Sequence, residues 1–274
     1  MLSIYMRIRR LILFMVIPQL LSLLGCKPRS IYGSNTEVGK YYDINGIKLY
    51  VEQYGKGEPL LMIHGNGGSM SAFSKNVPYF AKRYRVILVD SRAQGKSTDP
   101  GDTLTYEQMT DDFAALLDTL KIPKAYVIGW SDGGINSIVM AMRHPDKVIK
   151  FASTGANLWP DSTAINPSDW KNEYDYYNRH KNRIWTTDEG KNSWKIFKLD
   201  WEEPNIKLAD LQKVKCPALI IAGDHDLICD AHTRLIQQNI PGSKLWIVKN
   251  SGHATLIEHA AEFNKRVDDF FRDK

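Results

Sequence analysis

The residues best suited to chemistry in this chain are a serine, an aspartate and a histidine that each follow a strand-like segment. Ser131 lies in the motif Gly129-Trp130-Ser131-Asp132-Gly133, between an apolar run that ends at Ile128 and a segment with helical apolar spacing. Flanking glycines let a strand turn sharply into a helix, and such a turn exposes the serine hydroxyl. A serine hydroxyl is a weak nucleophile that needs a base, normally an imidazole oriented by a carboxylate.

A base and an acid follow the last two predicted strands. His253 comes directly after the final strand, so we expect it at the carboxyl edge of the sheet, near the serine. His225 and His232, which flank the acid loop, are its rivals. Asp226 lies deeper in the loop than Asp224, which is better placed to tie down a turn, so Asp226 is the preferred acid. The chain order Ser, Asp, His is that of one class of α/β serine hydrolases.

A glycine-rich loop, His64-Gly65-Asn66-Gly67-Gly68, follows another apolar strand. Hydrolysis at a carbonyl requires two N–H groups aimed at the developing oxyanion, and we predict that the N–H groups of Asn66 and Asp132 supply them. The predicted substrate contacts are Asp132, Gly65 and Trp130. A phosphate-binding loop is the rival interpretation, but the run lacks both GxGxxG and GxxxxGK.

Strand-like and helix-like segments alternate along the chain from residue 40. The predicted strands are Lys40–Ile44, Lys48–Tyr54, Pro59–Ile63, Val86–Val89, Tyr126–Ile128, Val148–Ala152, Ala218–Ala222 and Leu245–Val248. The Asn45-Gly46 pair predicts a hairpin between the first two. The pattern predicts an α/β fold with a mostly parallel eight-stranded sheet and helices on both faces.

The alternation is interrupted after the sixth predicted strand. Residues 157–214 contain no strand-like run, but they hold five of the seven tryptophans. We predict that this segment is a helical cap whose aromatic side chains line a pocket for an organic substrate and exclude water. The alternative is a solvated helical connection whose aromatic side chains only attach it to the body.

Composition and charge limit the class of protein. A chain of 274 residues that is 43% hydrophobic can bury a full core. Three arginines near the start contribute to the net charge of +5, which leaves 5 − 3 = +2 from Cys26 onward. This charge gives no reason to expect a nucleic-acid partner. Without CxxC or HExxH spacing we predict no metal site.

The first residues resemble a targeting signal. Arginines, an apolar run and a small residue before Cys26 predict a signal peptide over residues 1–25 of the lipoprotein type, with Cys26 as the lipidated residue. An uncleaved membrane anchor is the alternative. Residues 26–39 are predicted to be a spacer, and residues 40–274 the catalytic domain. These predictions place the protein in a bacterial cell envelope, held to the membrane on its periplasmic or surface side.

Five motifs occur in the order and spacing of one family. They read HGNGG, DSRAQGKS, GWSDGG, GDHD and SGH. In this arrangement the chain resembles the α/β-hydrolase superfamily from about Tyr41 to Arg272. Its GWSDGGI segment and its Val214–Ile220 segment are similar to the biphenyl-hydrolase-like proteins, a group that includes valacyclovir hydrolase.

The resemblance implies a substrate class. The biphenyl-hydrolase-like group hydrolyses esters of α-amino acids, and the acid after its nucleophile holds the substrate ammonium, which here implies Asp132. Two features depart from that group: Leu227 stands where a proline often follows the acid, and Asp161–Trp201 shows no similarity to the group.

We therefore expect a serine hydrolase of small carboxylic esters that forms an acyl-enzyme, needs no cofactor and acts on a small-molecule ester. A preference for α-amino acid esters follows only from the resemblance. Lactone hydrolysis, carbon–carbon bond hydrolysis and perhydrolysis use the same triad and remain alternatives. A ligand-binding protein without catalytic activity is the alternative from another class.

Overall fold

The computed structural model describes residues 31–273, and one sheet of eight strands runs through them. The strands are β1 Lys40–Ile44, β2 Ile47–Tyr54, β3 Glu58–Ile63, β4 Tyr84–Val89, β5 Ala125–Trp130, β6 Val148–Thr154, β7 Ala218–Gly223 and β8 Lys244–Val248. Their order in the sheet is β1-β2-β4-β3-β5-β6-β7-β8. β2 is antiparallel to β1 and β4, and all other neighbours are parallel. The predicted mostly parallel sheet is confirmed.

Helices cover both faces of this sheet. They are α1 Val77–Phe80, α2 Tyr106–Thr119, α3 Asp132–Arg143, α4 Pro167–His180, α5 Asp188–Glu202, α6 Asp230–Asn239, α7 Thr255–Glu258 and α8 Ala260–Arg272. Along β3, Leu60 and Met62 pack in one core cluster with α1 and α8, whereas Leu61 and Ile63 pack in the other with α2 and α3. Successive strand side chains point to opposite faces, so a strand covered on both sides must be apolar throughout.

The predicted cap is present between β6 and β7. It consists of α4, α5 and a short 3₁₀ helix, Leu208–Lys213. The rings of Trp170 and Tyr177 on α4 stack against Trp201 on α5, with centroids 6.0 and 5.0 Å apart. α4 has no buried side chain, whereas α5 buries Lys195 and Leu199. α5 is therefore attached to the body, whereas α4 is attached mainly to α5.

A buried chain of ion pairs fixes α5 to the body. Lys195 Nζ lies 2.6 Å from Asp99 Oδ2, and the other oxygen of Asp99 lies 3.1 Å from Arg92 Nη1. Arg92 also pairs with Asp112 of α2, with Nε 2.7 Å from Oδ2. None of the four side chains is more than 6% exposed. Removing one member would leave an unpaired buried charge, which is strongly destabilising.

The described part of the predicted spacer, residues 31–39, lies against the body. The carboxylate of Glu52 on β2 is fully buried and accepts hydrogen bonds from the N–H groups of Gly33 and Asn35. The hydroxyls of Tyr50 and Tyr54 donate to the same carboxylate. Four donors offset the cost of burying this carboxylate. The described part of the predicted spacer is therefore hydrogen-bonded to β2.

The predicted signal peptide, residues 1–25, and the predicted lipidation site, Cys26, lie outside the described residues. Within residues 31–273, none of the helices combines the length and apolar character that crossing a membrane requires.

Candidate active site

Ser131 occupies a strained turn between β5 and α3. Its backbone has φ 56° and ψ −119°, a conformation that is unfavourable for a residue with a side chain. The turn is also tightly packed: a Cβ atom on Gly129 would lie 1.8 Å from the carbonyl oxygen of Gly133, and one on Gly133 would lie 1.9 Å from that of Ile63. Both positions therefore require glycine. The predicted strand-to-helix turn with Ser131 at its tip is present.

The structure brings Ser131, His253 and Asp226 together. His253 Nε2 lies 2.9 Å from Ser131 Oγ, and His253 Nδ1 lies 2.6 Å from Asp226 Oδ1. The three residues follow β5, β8 and β7, so they meet at the carboxyl edge of the sheet. With Nδ1–H donating to the carboxylate, Nε2 is the acceptor for the serine hydroxyl proton. The arrangement can therefore deprotonate Ser131.

Asp226, not Asp224, contacts the histidine. The carboxylate of Asp226 accepts hydrogen bonds from the N–H groups of Gly223 at 3.3 Å and Ile228 at 3.0 Å. Asp224 instead accepts a hydrogen bond from the N–H of Ser251, and backbone hydrogen bonds lower its pKa to about 2. Asp224 thus stabilises the turn before the histidine. This geometry agrees with the preference for Asp226 over Asp224.

The rival histidines have other partners. His225 is exposed and lies 2.7 Å from Asp224 through its Nδ1. His232 is buried under the start of the cap, where its Nε2 accepts a hydrogen bond from the N–H of Leu158. Burial lowers the pKa of His232 to about 4, which keeps its imidazole neutral. Neither histidine contacts Ser131.

The surroundings of His253 fix its position. The indole N–H of Trp130 donates to the His253 carbonyl oxygen at 2.9 Å. On the other side, a Cβ atom on Gly155 would lie 2.6 Å from the imidazole, and this glycine has φ +66°. Trp130 thus fixes the backbone of His253, and its predicted contact with substrate stays a prediction.

The glycine-rich loop lies beside the nucleophile. Buried His64 fixes it: the Ser91 N–H donates to His64 Nε2, so Nδ1 carries the proton and donates to the Gly65 carbonyl oxygen. A Cβ atom on Gly65 would lie 2.9 Å from Ser131 Cβ, so this backbone passes directly over the serine. Asn66 is the next residue of the loop, between Gly65 and Gly67. The oxyanion role of the Asn66 and Asp132 N–H groups stays a prediction.

Asp132 is a buried carboxylate beside the nucleophile. It is 1% exposed, and it accepts hydrogen bonds from Tyr106 Oη at 2.9 Å and Asn66 Nδ2 at 3.0 Å. Burial, with a smaller contribution from the charge of Asp200, raises its pKa to about 8, although the two hydrogen bonds oppose the shift. Perturbed carboxylates of this kind are common at functional sites.

Two residues of the site are absent from the predictions made on sequence. Tyr106 begins α2 and reaches Asp132, and Asp200 lies on the cap helix α5. Burial raises the pKa of Asp200 to about 6, while His253 acts in the opposite direction. In the sequence, the sign that Asp200 belongs to the site is its position next to a tryptophan in an aromatic-rich segment.

Comparison with known proteins gives the same architecture. Residues 58–184 match the family model of the α/β-hydrolase fold. The serine hydrolase BPHL of Homo sapiens is 28% identical, over 89% of this chain and 90% of that protein. A 2-hydroxy-6-oxononadienedioate/2-hydroxy-6-oxononatrienedioate hydrolase of Burkholderia vietnamiensis is 27% identical, over 89% of this chain and 99% of that protein.

A solved structure shows the same fold. The enol-lactonase from Burkholderia xenovorans superposes with a TM-score of 0.69 at 24% identity, over 85% of this chain and all of that one. The protein is therefore a hydrolase that belongs to the α/β-hydrolase superfamily and resembles the biphenyl-hydrolase-like serine hydrolases.

Proposed function

We propose that the protein is a serine hydrolase that cleaves small carboxylic esters, with Ser131 as nucleophile, His253 as general base and Asp226 as the orienting acid. The observation that carries this proposal is the continuous hydrogen-bond path from Ser131 Oγ through both ring nitrogens of His253 to Asp226. Such a path converts a serine hydroxyl into an effective nucleophile.

The reaction proceeds in two halves. His253 Nε2 takes the Ser131 proton as Oγ attacks the ester carbonyl carbon, and the N–H groups of Asn66 and Asp132 stabilise the oxyanion. Collapse of this intermediate expels the alcohol, which receives the proton from the imidazolium, and leaves an acyl-enzyme. His253 then deprotonates a water that attacks the acyl carbon. The carboxylic acid departs, and Ser131 regains its proton.

Within this class we propose a preference for esters of α-amino acids. Asp132 is the residue after the nucleophile, and its two hydrogen-bond donors, Tyr106 and Asn66, hold its side chain in one orientation. An α-ammonium group there would gain a charge-assisted hydrogen bond with a buried carboxylate, an interaction that contributes about 1.5–3 kcal/mol.

Carbon–carbon bond hydrolysis is the second candidate, because relatives at 27% identity are named for dienedioate substrates. A substrate with two carboxylates would place negative charge near Asp132 and Asp200. Like charges in a partly buried site repel strongly, so this site disfavours such an acid more than it disfavours an ester with an ammonium group.

A pair of esters tests the proposal. We expect the p-nitrophenyl ester of valine to react with a kcat/KM at least about 10-fold above that of its des-amino analogue, and Asp132→Asn to reduce this ratio to about 1–3. The exposed acid Glu107 of α2 provides the control, because Glu107→Gln should keep the ratio of the wild type. If neither ester is hydrolysed, the protein is not an esterase. Equal rates for the two esters would contradict the amino-ester preference alone.

We also propose a location in the bacterial cell envelope with a lipid on Cys26. This proposal depends only on the sequence of the first 26 residues, with their arginines, apolar run and Leu23-Leu24-Gly25-Cys26 segment. Bacterial cells that express the full chain are grown with a clickable fatty acid. We expect the wild type to be labelled and Cys26→Ala to be unlabelled, and equal labelling of both would exclude lipidation at this residue.

A further inference from the structure

One face of α5 lies over the loops of the candidate active site. Asn192, Ile196 and Asp200 are spaced four residues apart, so they share this face. The Asn192 side chain donates to the carbonyl oxygen of Ala93 at 2.7 Å, and the Ile196 carbonyl oxygen accepts a hydrogen bond from Asn66 at 3.1 Å. The Tyr106 N–H also donates to Glu203 Oε2, at the end of α5, at 3.2 Å, so the turn that carries Asp200 lies near Tyr106, whose hydroxyl contacts Asp132.

The electrostatics agree with this placement of Asp200. Its charge contributes to the raised pKa of Asp132, and His253 favours the ionised form of Asp200. The carboxylate from the cap therefore acts together with Asp132, which lies at the start of α3.

Glu173 on α4 adds a third carboxylate. Its Oε2 atom is completely buried and has no hydrogen-bond partner. Burial, with smaller contributions from the charges of Asp200 and Asp169, raises the pKa of Glu173 to about 7. Trp170 and Tyr177 lie three and four residues away on the same helical face, and both stack on Trp201, which follows Asp200. Carboxylates beside aromatic faces form a favourable environment for an alkylammonium group.

Within residues 31–273, no lysine or arginine forms an ion pair with Asp132, Asp200 or Glu173. No cluster of three His, Cys, Asp or Glu side chains in the described residues could hold a metal ion. Asp132 is buried and the other two acids are half-buried, and a cation bound beside them would favour their ionised forms, so a cationic ligand would stabilise this arrangement. An organic cation with separated charges fits it better than a metal ion.

We propose that the acyl group of the substrate carries two cations, an α-ammonium held by Asp132 and a side-chain cation held by Asp200 and Glu173, so that the preferred substrates are esters of dibasic amino acids such as lysine. This inference rests on the proposed function, because it concerns the ester that Ser131 attacks. Asp200 and Glu173 are thus specificity-determining residues that the cap supplies.

Lysine and norleucine esters test this inference, because the two side chains differ mainly in the terminal ammonium group. We expect the kcat/KM of the wild type to be at least about 30-fold higher for the p-nitrophenyl ester of lysine than for that of norleucine. Asp200→Asn and Glu173→Gln should each reduce this ratio severalfold, and the double variant should bring it to about 1–3. Since removing the charge of Asp200 also changes the electrostatics around Asp132, the ratio of the two kcat/KM values is the readout and not the absolute rate.

The matched control is Glu202→Gln. Glu202 is an exposed acid on the same helix, two residues after Asp200, and this variant should keep the ratio of the wild type. A wild-type ratio near 1 with active hydrolysis of both esters would overturn the inference and leave the esterase proposal intact. An unchanged ratio in the double variant with Asp200→Asn and Glu173→Gln would also overturn the inference and leave the esterase proposal intact.

Calorimetric titration with free lysine and norleucine separates binding from turnover. We expect the wild type to bind lysine at least about 10-fold more tightly than norleucine, and the double variant to lose this difference. Lysine binding without hydrolysis of any ester would refute the esterase proposal but support the second cation site. Equal affinity for the two amino acids would refute that site.

Discussion

Replacing Ser131 with alanine lowers kcat for ester hydrolysis by about 10⁴-fold or more, because the variant has no oxygen to form the acyl-enzyme. The predicted oxyanion groups and the pocket remain, so substrate binding should change far less than turnover. We expect initial rates with a p-nitrophenyl ester to show this loss in kcat with a small change in KM.

A fluorophosphonate probe measures the same property without a substrate. We expect it to label the wild type and to leave Ser131→Ala unlabelled, and mass spectrometry should place the adduct on the peptide that contains Ser131. Ser193 is exposed on α5, away from the triad, so Ser193→Ala should be labelled like the wild type. Equal labelling of Ser131→Ala, or no labelling of the wild type, would contradict a nucleophilic role for Ser131.

Asp226→Asn should lower kcat by about 10³–10⁴-fold while the fold is preserved. With its oxygen in the place of Oδ2, asparagine keeps the hydrogen bond from the Gly223 N–H and loses the one from the Ile228 N–H, which Oδ1 accepts. Its amide N–H₂ would then face His253 Nδ1 and favour the tautomer with the proton on Nε2. In that tautomer the imidazole cannot accept the Ser131 proton, so the base is lost.

Asp224 is the natural comparison, since it lies two residues earlier on the same loop. It accepts a hydrogen bond from the Ser251 N–H and does not contact the imidazole of His253. We expect Asp224→Asn to retain kcat within about 3-fold, with melting curves recorded for both variants to exclude unfolding. An Asp224→Asn variant as impaired as Asp226→Asn would show that the loop as a whole, and not the carboxylate of Asp226, determines the rate.

The sequence predicts the sheet well because each strand is a local apolar run. β3 and β5 needed only their own residues and the turns after them to be recognised. The meeting of Ser131 with His253 was also predictable, since parallel strands place the loops after them at one edge. Chain order then left only the choice between Asp226 and Asp224, which depth in the loop decides.

The electrostatic surroundings of the site were not predictable in the same way. Asp200 reaches the pocket because α5 folds over it, and no local pattern in the cap encodes the direction of that helix. The same applies to Tyr106, whose hydroxyl contacts Asp132 across 26 residues of sequence. Interactions that depend on how a cap docks require the tertiary structure.

The contacts of the amino-terminal end of the described chain were not predictable from its polar composition. The glycine and asparagine of residues 31–39 are typical of a spacer, and the N–H groups of Gly33 and Asn35 satisfy the buried carboxylate of Glu52. An acid in the middle of an apolar strand is the only sign of this in the sequence. A buried acid needs partners from elsewhere, and the segment before the first strand supplies them.

The ion pairs between Lys195, Asp99, Arg92 and Asp112 also have a consequence for the dynamics of the cap. Lifting α5 would separate buried charges in a region of low dielectric, so we expect α5 to open rarely. No residue of α4 is fully buried, and this helix is held to α5 by stacked aromatic rings. We therefore expect amide hydrogen exchange to be faster in α4 than in α5.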